Sequence, residues 1–282
     1  MKKHSLRLSL LILMTTTMRS YSQMRLDDWE KKFPTYTSLK EAAKQPPESV
    51  VKISLFTRYA VSWDEVCKYK KIRGLELIDM FGDKFPMCIC GLGELQYLSV
   101  RNNKLGVLPT EITALTKLEF LDLYWNENLT YLPEGFEKLS NLQSVNIGGN
   151  PGLNLGKTFV SLAKLPRLKT LNLTFDKIQS LPVEIGLLTQ IEELTIDNNL
   201  LTDLPPQMAA MKNLKRLSLI NNKFSSIPKI VSALPAIKQV DLTNTLEEDL
   251  DKSLAGSYGH NKIRESEAKT LKKNKPGLNL TF

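Results

Sequence analysis

The sequence predicts an α/β solenoid, in which short coils of chain stack along one axis, share a single parallel β-sheet and bury one common core. One pattern of apolar residues recurs about every 23 residues between residues 50 and 245, and such self-similarity indicates stacked structural units. Of the 282 residues, 42% are hydrophobic but only 7% are aromatic, which indicates an aliphatic core. A single coil cannot bury its leucines, whereas about three or more stacked coils can.

The pattern is clearest in the coil of residues 95–117, where the order of the residue types has a physical explanation. Residues 98–100 alternate inward and outward, as a short strand with one buried face must. Asn103 follows where the chain leaves that strand, and its amide can satisfy backbone groups that would otherwise be buried without a partner. Pro109 cannot donate a hydrogen bond and biases Leu108 toward an extended conformation. The strands are therefore predicted to form the concave face of a horseshoe, with irregular or short helical segments on its convex side.

The turn position after each strand is predicted to be structural rather than part of a binding site. It is filled by Asn103, Asn126, Asn150, Asp176, Asn199, Asn222 and Thr245. The coil that starts at Leu142 is longer than the others, and residues 158–164 within it are predicted to form a helix on the convex side.

Residues 1–22 are predicted to be a signal peptide. They combine a basic start, a mostly apolar run at residues 8–14 and small residues at Ser20 and Ser22. The apolar run is too short to cross a bilayer, which takes about 20 residues, so no permanent membrane span is expected. The expected localisation is outside the cytoplasm, in a periplasm, at the cell surface or secreted. The cytoplasm is the alternative, because Arg19 interrupts the cleavage region.

Two caps are predicted to cover the ends of the solenoid, because an uncovered terminal coil would expose its leucine face. Residues 23–49 form an N-terminal helical cap, residues 50–245 form about eight to nine repeats, and residues 246–282 form a C-terminal cap. The C-terminal cap is expected to be charged and largely helical, and to finish in a strand because its last apolar residues alternate. These residues are Leu278, Leu280 and Phe282.

Three cysteines lie in the return legs of two adjacent early coils. Aligning Val66 with Ile89 places Cys67 and Cys90 at the same position of neighbouring coils, close enough to predict a disulfide between them. The alternative is that these two and Cys88 are free thiols. The three cysteines and His260 do not have the spacing of a zinc site.

No catalytic or cofactor-binding pattern is found in the sequence. It lacks a nucleophile with its base, a glycine-rich phosphate loop and clustered metal ligands, so a non-enzymatic protein without a cofactor or metal is expected. The formal charge is +8, but it falls to +4 once the four cations of residues 1–22 are set aside. Such a balance gives little support to nucleic-acid binding.

The outward residues of the strands are predicted to line up in columns on the concave face. Aromatic residues and one arginine cluster there, around a floor left open by Gly148 and Gly149. Exposed aromatic and arginine side chains dominate the energetics of many protein interfaces, so the cluster is a candidate partner-binding site. It comprises Tyr97, Arg101, Phe120, Tyr124, Trp125 and Phe175. The alternative is that one or two of the rings pack against neighbouring coils.

Residues 95–213 resemble the 23-residue leucine-rich repeats of bacterial exported proteins and of Ras-pathway scaffold proteins. The resemblance is carried by the leucine spacing and by Leu-Pro pairs that end at Pro109, Pro133, Pro182 and Pro205. It implies a horseshoe fold and a non-enzymatic scaffold that binds a protein or peptide through its concave face. A glycan or cell-envelope binder, with the aromatic rings as stacking platforms, and a structural spacer are the alternatives.

Overall fold

A computed structural model describes residues 34–56, 61–79, 84–244 and 258–282. The predicted signal peptide, residues 23–33 of the predicted N-terminal cap and residues 245–257 lie outside these ranges. Within them, eleven strands form one sheet whose spatial order equals the chain order, and every neighbouring pair is parallel. The predicted α/β solenoid with a parallel concave sheet is confirmed.

The strands are short because each coil gives only a few residues to the sheet. They are β1 (Thr35–Tyr36), β2 (Lys52–Phe56), β3 (Gly74–Ile78), β4 (Tyr97–Ser99), β5 (Phe120–Asp122), β6 (Ser144–Asn146), β7 (Thr170–Asn172), β8 (Glu193–Thr195), β9 (Arg216–Ser218), β10 (Gln239–Asp241) and β11 (Asn279–Thr281). Equivalent residues pair, as Leu98 does with Leu121, so each leucine column forms a continuous buried ridge. The last strand, β11, pairs with β10, as the alternating C-terminal residues predict.

The return legs are short helices. The α-helices are α1 (Leu39–Ala42), α2 (Trp63–Cys67), α3 (Leu155–Ala163), α4 (Ile230–Ala233) and α5 (Glu265–Asn274). The 3-10 helices are Pro47–Ser49, Met87–Gly91, Thr110–Ala114, Phe136–Lys138, Val183–Leu187 and Pro206–Ala210. Several begin directly after a proline that holds the N-cap position in an extended conformation and carries no N–H that would need a partner there. The predicted convex helix is α3, which begins earlier than predicted because Asn154 caps it by accepting a hydrogen bond from the Lys157 N–H.

The predicted turn residues connect neighbouring coils through their side-chain amides. The Nδ2 of Asn199 donates to the carbonyls of Leu173 at 2.8 Å and Ile196 at 3.1 Å. Its Oδ1 accepts from the backbone nitrogens of Asp176 at 3.1 Å and Ile178 at 2.9 Å. One asparagine thus satisfies backbone groups of its own coil and of the preceding coil, which makes this column structural.

The amide of the final coil is supplied by Asn261, which lies outside the repeats. Its Oδ1 accepts from the Phe224 N–H at 3.1 Å, and its Nδ2 donates to the carbonyls of Leu219 at 2.9 Å and Leu242 at 3.0 Å. Asn222 makes the corresponding bonds one coil earlier. The repeat spacing predicts Thr245 at this position, and Thr245 itself lies outside the described residues.

The disulfide joins Cys67 to Cys88, with their Cα atoms 6.0 Å apart, so the predicted pairing of Cys67 with Cys90 is wrong. Side chains at equivalent positions of neighbouring coils point in parallel directions. Two cysteines at equivalent positions, such as Cys67 and Cys90, therefore do not face each other. Cys67 directly follows the buried Val66, whereas Cys88 directly precedes the buried Ile89, and these opposite offsets bring the two sulfurs together.

Cys90 is a buried free thiol. Burial raises the pKa of Cys90 to about 11, and the nearby negative charge of Glu111 makes a smaller contribution in the same direction. The thiol therefore stays protonated at neutral pH and is a poor nucleophile.

Reducing the disulfide is expected to lower the free energy of unfolding by about 3 kcal/mol. The two cysteines are 21 positions apart in the sequence, and without the crosslink the unfolded chain gains the conformational entropy that closing this loop removes. Urea unfolding with and without a phosphine reductant measures the change. Cys88→Ser should reproduce it, whereas Cys90→Ala should leave the response to reductant intact. Alkylation of three thiols in denatured, unreduced protein would contradict the assignment.

Candidate binding face

The concave face is built from the outward side chains of the strands. Because the strands pair in register, equivalent residues of adjacent coils form columns that run across the sheet. At the centre, Asn146 of β6, Asn172 of β7 and Thr195 of β8 stand side by side and are half-buried. This row is neutral and polar.

Two central amides retain a hydrogen-bond donor. Asn146 Oδ1 accepts from the Gly148 N–H at 3.2 Å, and Asn172 Oδ1 accepts from the Thr174 N–H at 2.9 Å. Neither Nδ2 has a hydrogen-bond partner within the part of the chain that the structure describes. These amides are therefore suited to donate to carbonyl oxygens of a molecule bound on the concave face.

The predicted aromatic cluster is mostly buried. The exposed fraction is 3% for Tyr97 and 6% for Phe120, which pair as neighbours on β4 and β5, and it is 8% for Tyr124 and 7% for Phe175. Only Arg101 and Trp125 among the six predicted residues are partly exposed. The expected exposure of the aromatic rings is therefore not found, and their role in partner binding stays a prediction.

Trp125 and Phe175 belong to the turn rather than to the floor of the sheet. Their φ angles are 55° and 65°, and the equivalent residues of other coils also have positive φ. These residues are Asp79, Asn102, Gly149, Asn198 and Asn221. The inward–outward alternation of a strand ends where the chain enters this left-handed conformation, so the column lies at the margin where the strands end.

The two glycines do not form an open floor, because the next coil and neighbouring rings cover them. A Cβ atom built on Gly148 would lie 2.5 Å from the Thr174 carbonyl oxygen and 3.2 Å from the Tyr124 ring, and one built on Gly149 would overlap the Trp125 indole. The Tyr124 and Trp125 rings stack with centroids 5.2 Å apart. Both rings pack against the next coil, which is the alternative that the sequence left open.

Tyr258, within the predicted C-terminal cap, completes this cluster, and sequence reasoning missed it. Its ring meets Phe175 edge to face at a centroid distance of 6.2 Å, and it is 9% exposed. The following residue, Gly259, donates its N–H to the Asn199 carbonyl at 2.9 Å. No repeat position marks Tyr258, because the segment lies after the periodic part of the sequence.

Arg101 is held by a carboxylate of the next coil. Its Nε donates to Asp122 Oδ2, and a terminal nitrogen contacts the same oxygen. The other carboxylate oxygen accepts from the Tyr124 N–H at 3.0 Å. The ion pair therefore fixes both the arginine and the start of the turn that carries the stacked rings.

Two buried carboxyl groups have raised pKa values. Burial raises the pKa of Asp176 to about 8, although its Oδ1 accepts from the Asn150 N–H at 2.5 Å. Burial also raises the pKa of Asp197 to about 7, while its Oδ1 accepts from Ser218 Oγ at 2.6 Å and from the Ile220 N–H at 2.9 Å. Both groups are buried within the stack, at 6% and 8% exposure.

A cleft of about 540 Å³ lies at the opposite margin, where strands β5 to β9 begin. We call it the strand-start cleft. It is lined by Phe120, Gln143, Ser144, Pro166, Arg167, Lys169, Thr170, Glu192, Glu193, Lys215 and Arg216. Of its lining, sequence reasoning predicted only Phe120. Five of the six charged residues occupy the two positions that precede the central leucine of β7, β8 or β9, and Arg167 lies two residues before Lys169.

Metal ligands do not cluster in the described ranges, since they contain no group of three or more histidine, cysteine, aspartate or glutamate side chains that could hold an ion. The helices described are also too short or too polar to cross a membrane.

The coils, the single parallel sheet and the amide column define a repeat solenoid of the kind built from stacked strand–turn–helix units. The chain belongs to the leucine-rich repeat family. A family model described as a leucine-rich repeat region matches residues 52–176, and a second, described as a leucine rich repeat, matches residues 189–246. Proteins of this family and fold are typically non-enzymatic, and the fold commonly mediates protein binding.

The chain is similar in sequence to short parts of longer curated proteins, and similar in fold to solved repeat structures. Adenylate cyclase of Schizosaccharomyces pombe is 35% identical over 133 residues, which cover 45% of this chain but only 8% of the cyclase. Internalin C2 of Listeria monocytogenes is 22% identical, with a TM-score of 0.58 over 73% of this chain and 90% of the internalin. The plant peptide hormone receptor RGFR1, solved in complex with RGF2, is 21% identical, with a TM-score of 0.53 over 88% of this chain and 45% of the receptor. At these identities the two structures show a shared fold alone.

Proposed function

We propose that this protein is a non-enzymatic scaffold module that binds a protein or peptide through the concave face. The observation that carries the proposal is the pair of half-buried amides, Asn146 and Asn172, whose Nδ2 donors have no partner among the described residues. Adjacent donors in a neutral polar row suit the backbone carbonyls of an extended peptide.

The glycan alternative is less well supported. Stacking on a sugar requires exposed aromatic faces, whereas Tyr97, Phe120, Tyr124 and Phe175 are each less than a tenth exposed. Tyr124 and Phe175, which pack with Tyr258 and Trp125, are better suited to hold the turn column rigid beside the polar row. In that role they pre-organise the face, which lowers the entropic cost of binding.

We also propose that the protein is exported. The disulfide between Cys67 and Cys88 supports this, because disulfides persist in oxidising compartments and are rare in the cytosol. The predicted signal peptide at residues 1–22 agrees with the same route.

Asn172→Trp is expected to lower the yield of a captured partner at least about tenfold, because the indole fills the centre of the row and removes a donor. Affinity capture from the natural host, quantified by mass spectrometry against the wild-type chain, measures this yield. Leu187→Trp is the matched control, because it places the same ring on an exposed convex position. Equal capture by all three proteins would contradict use of the concave face.

A further inference from the structure

The strand-start cleft carries more positive than negative charge. Its charged lining comprises four cations and two carboxylates, which leaves a surplus of two positive charges. The cations are Arg167, Lys169, Lys215 and Arg216, and the carboxylates are Glu192 and Glu193.

The carboxylates do not neutralise all of these cations. Glu192 is shared by two lysines, with Lys169 Nζ at 3.1 Å and Lys215 Nζ at 2.6 Å. Arg216 pairs with Glu193, which is almost fully buried. Arg167 donates to a neutral group, the side-chain oxygen of Asn141, at 2.8 Å. Among the described residues, one lysine charge and the Arg167 charge therefore have no carboxylate to balance them.

The cationic side chains are accessible to a bound molecule. The side chains of Lys169, Lys215 and Arg216 are 44%, 39% and 40% exposed. Ser144 and Thr170 also line the cleft with hydroxyl groups, and Phe120 lines it with apolar surface. A volume of about 540 Å³ is large enough for a few amino-acid side chains.

We propose that the strand-start cleft binds a peptide segment of the partner that carries one or two separate carboxylates. This rests on the proposed function, since it names the chemistry of the partner at one margin of the same concave face. A carboxylate placed between Arg167 and Lys169 gains their attraction, while a second one can pair with Lys215, which shares Glu192 with Lys169.

The alternation of charge favours such a peptide over a continuous polyanion. Glu192 lies between the two lysines, and a nucleic acid or sulfated glycan would place further negative charge beside it. In a peptide, the carboxylates can lie beside the cations of the cleft, while neutral or basic residues lie opposite Glu192.

A displayed library of random 12-residue peptides, selected on the full chain, tests the proposal. Enriched peptides are expected to contain more aspartate and glutamate than the unselected library. Fluorescence anisotropy with one enriched, fluorescein-labelled peptide then gives affinities. Arg167→Glu combined with Lys215→Glu should weaken binding at least about tenfold, and raised salt should weaken wild-type binding. Arg216 is left intact, because its loss would leave the buried Glu193 unpaired.

The matched control is Lys138→Glu combined with Lys164→Glu, which makes the same change in net charge at exposed convex positions. It should bind the peptide like wild type. Unchanged affinity in the cleft variant, together with loss in Asn172→Trp, would overturn the cleft assignment and keep the concave site. Unchanged affinity in both would overturn the proposed function as well. If heparin bound the wild-type chain more tightly than the peptide does, and the cleft variant no longer bound heparin, the ligand of the cleft would be a polyanion and not an acidic peptide.

Discussion

Asp176→Asn is expected to raise the free energy of unfolding by about 3–5 kcal/mol at pH 8. Asp176 occupies the turn position that asparagine holds in the neighbouring coils, and it is 6% exposed. The Nδ2 of Asn199 donates to backbone carbonyls, whereas an ionised carboxylate has no proton to donate. In agreement, Asp176 Oδ2 is buried and has no hydrogen-bond partner among the residues that the structure describes. The amide would restore the missing donor and remove a buried charge.

The pH dependence follows from the direction of the pKa shift. Burial raises the folded-state pKa of Asp176 from its ordinary 3.8 to about 8. Between these values the folded protein holds a proton that the unfolded chain has released, so its stability falls as the pH rises. Asp197, whose pKa burial raises to about 7, acts in the same direction. The protonated form of Asp176 resembles asparagine, because its hydroxyl group can donate.

Urea unfolding at pH 5, 6.5 and 8 measures both effects. The wild-type chain should lose stability across this range, and Asp176→Asn should lose much less, with Asp197 responsible for the remainder. Glu127→Gln removes an exposed carboxylate and should reproduce the wild-type curve. The interpretation fails if Asp176→Asn is no more stable than wild type at pH 8.

The architecture follows from local sequence because one pattern is repeated. Leu98 and Leu121 occupy equivalent places in coils of nearly equal length, and stacking them in register is the arrangement that buries both. The amide column is predictable for a related reason. A residue such as Asn199 meets the same backbone groups in every coil, so one chemical requirement selects one residue type.

The binding face is less predictable, because its details depend on where regularity ends. In the sequence, the inward–outward alternation of side chains continues past the strand to Trp125. In the structure, a φ of 55° at Trp125 moves its side chain to the margin of the sheet. Asn261 and Tyr258 reach their sites from outside the repeats, and Asn261 bonds to a residue 42 positions away. No periodic signal encodes such contacts. The charges of the strand-start cleft were visible in the sequence, but their balance depends on which lysines share Glu192.

Gly149→Val is expected to lower the free energy of unfolding by about 3–5 kcal/mol, through two separate costs. At a φ of +74°, a residue with a branched Cβ is strained whatever space surrounds it. In addition, any Cβ would overlap the Trp125 indole, which stacks on Tyr124. The backbone cannot move away easily, because the Gly149 N–H donates to the Thr174 carbonyl at 2.7 Å. Urea unfolding followed by circular dichroism measures the loss.

A matched substitution in the same coil separates local strain from the general cost of replacing glycine. At Gly152, which is exposed, a Cβ would meet its nearest atoms at 3.8 Å, so Gly152→Val should change stability by less than about 1 kcal/mol. The two costs at Gly149 can also be separated. Relative to Trp125→Ala alone, adding Gly149→Ala should cost only the backbone strain, whereas in the wild-type background it should cost more. Equal costs in both backgrounds would show that the indole does not lie over Gly149. The interpretation that the two rings pack on the glycines of the next coil would then be wrong. Trp125 would again be a candidate for an exposed partner-binding residue on the concave face.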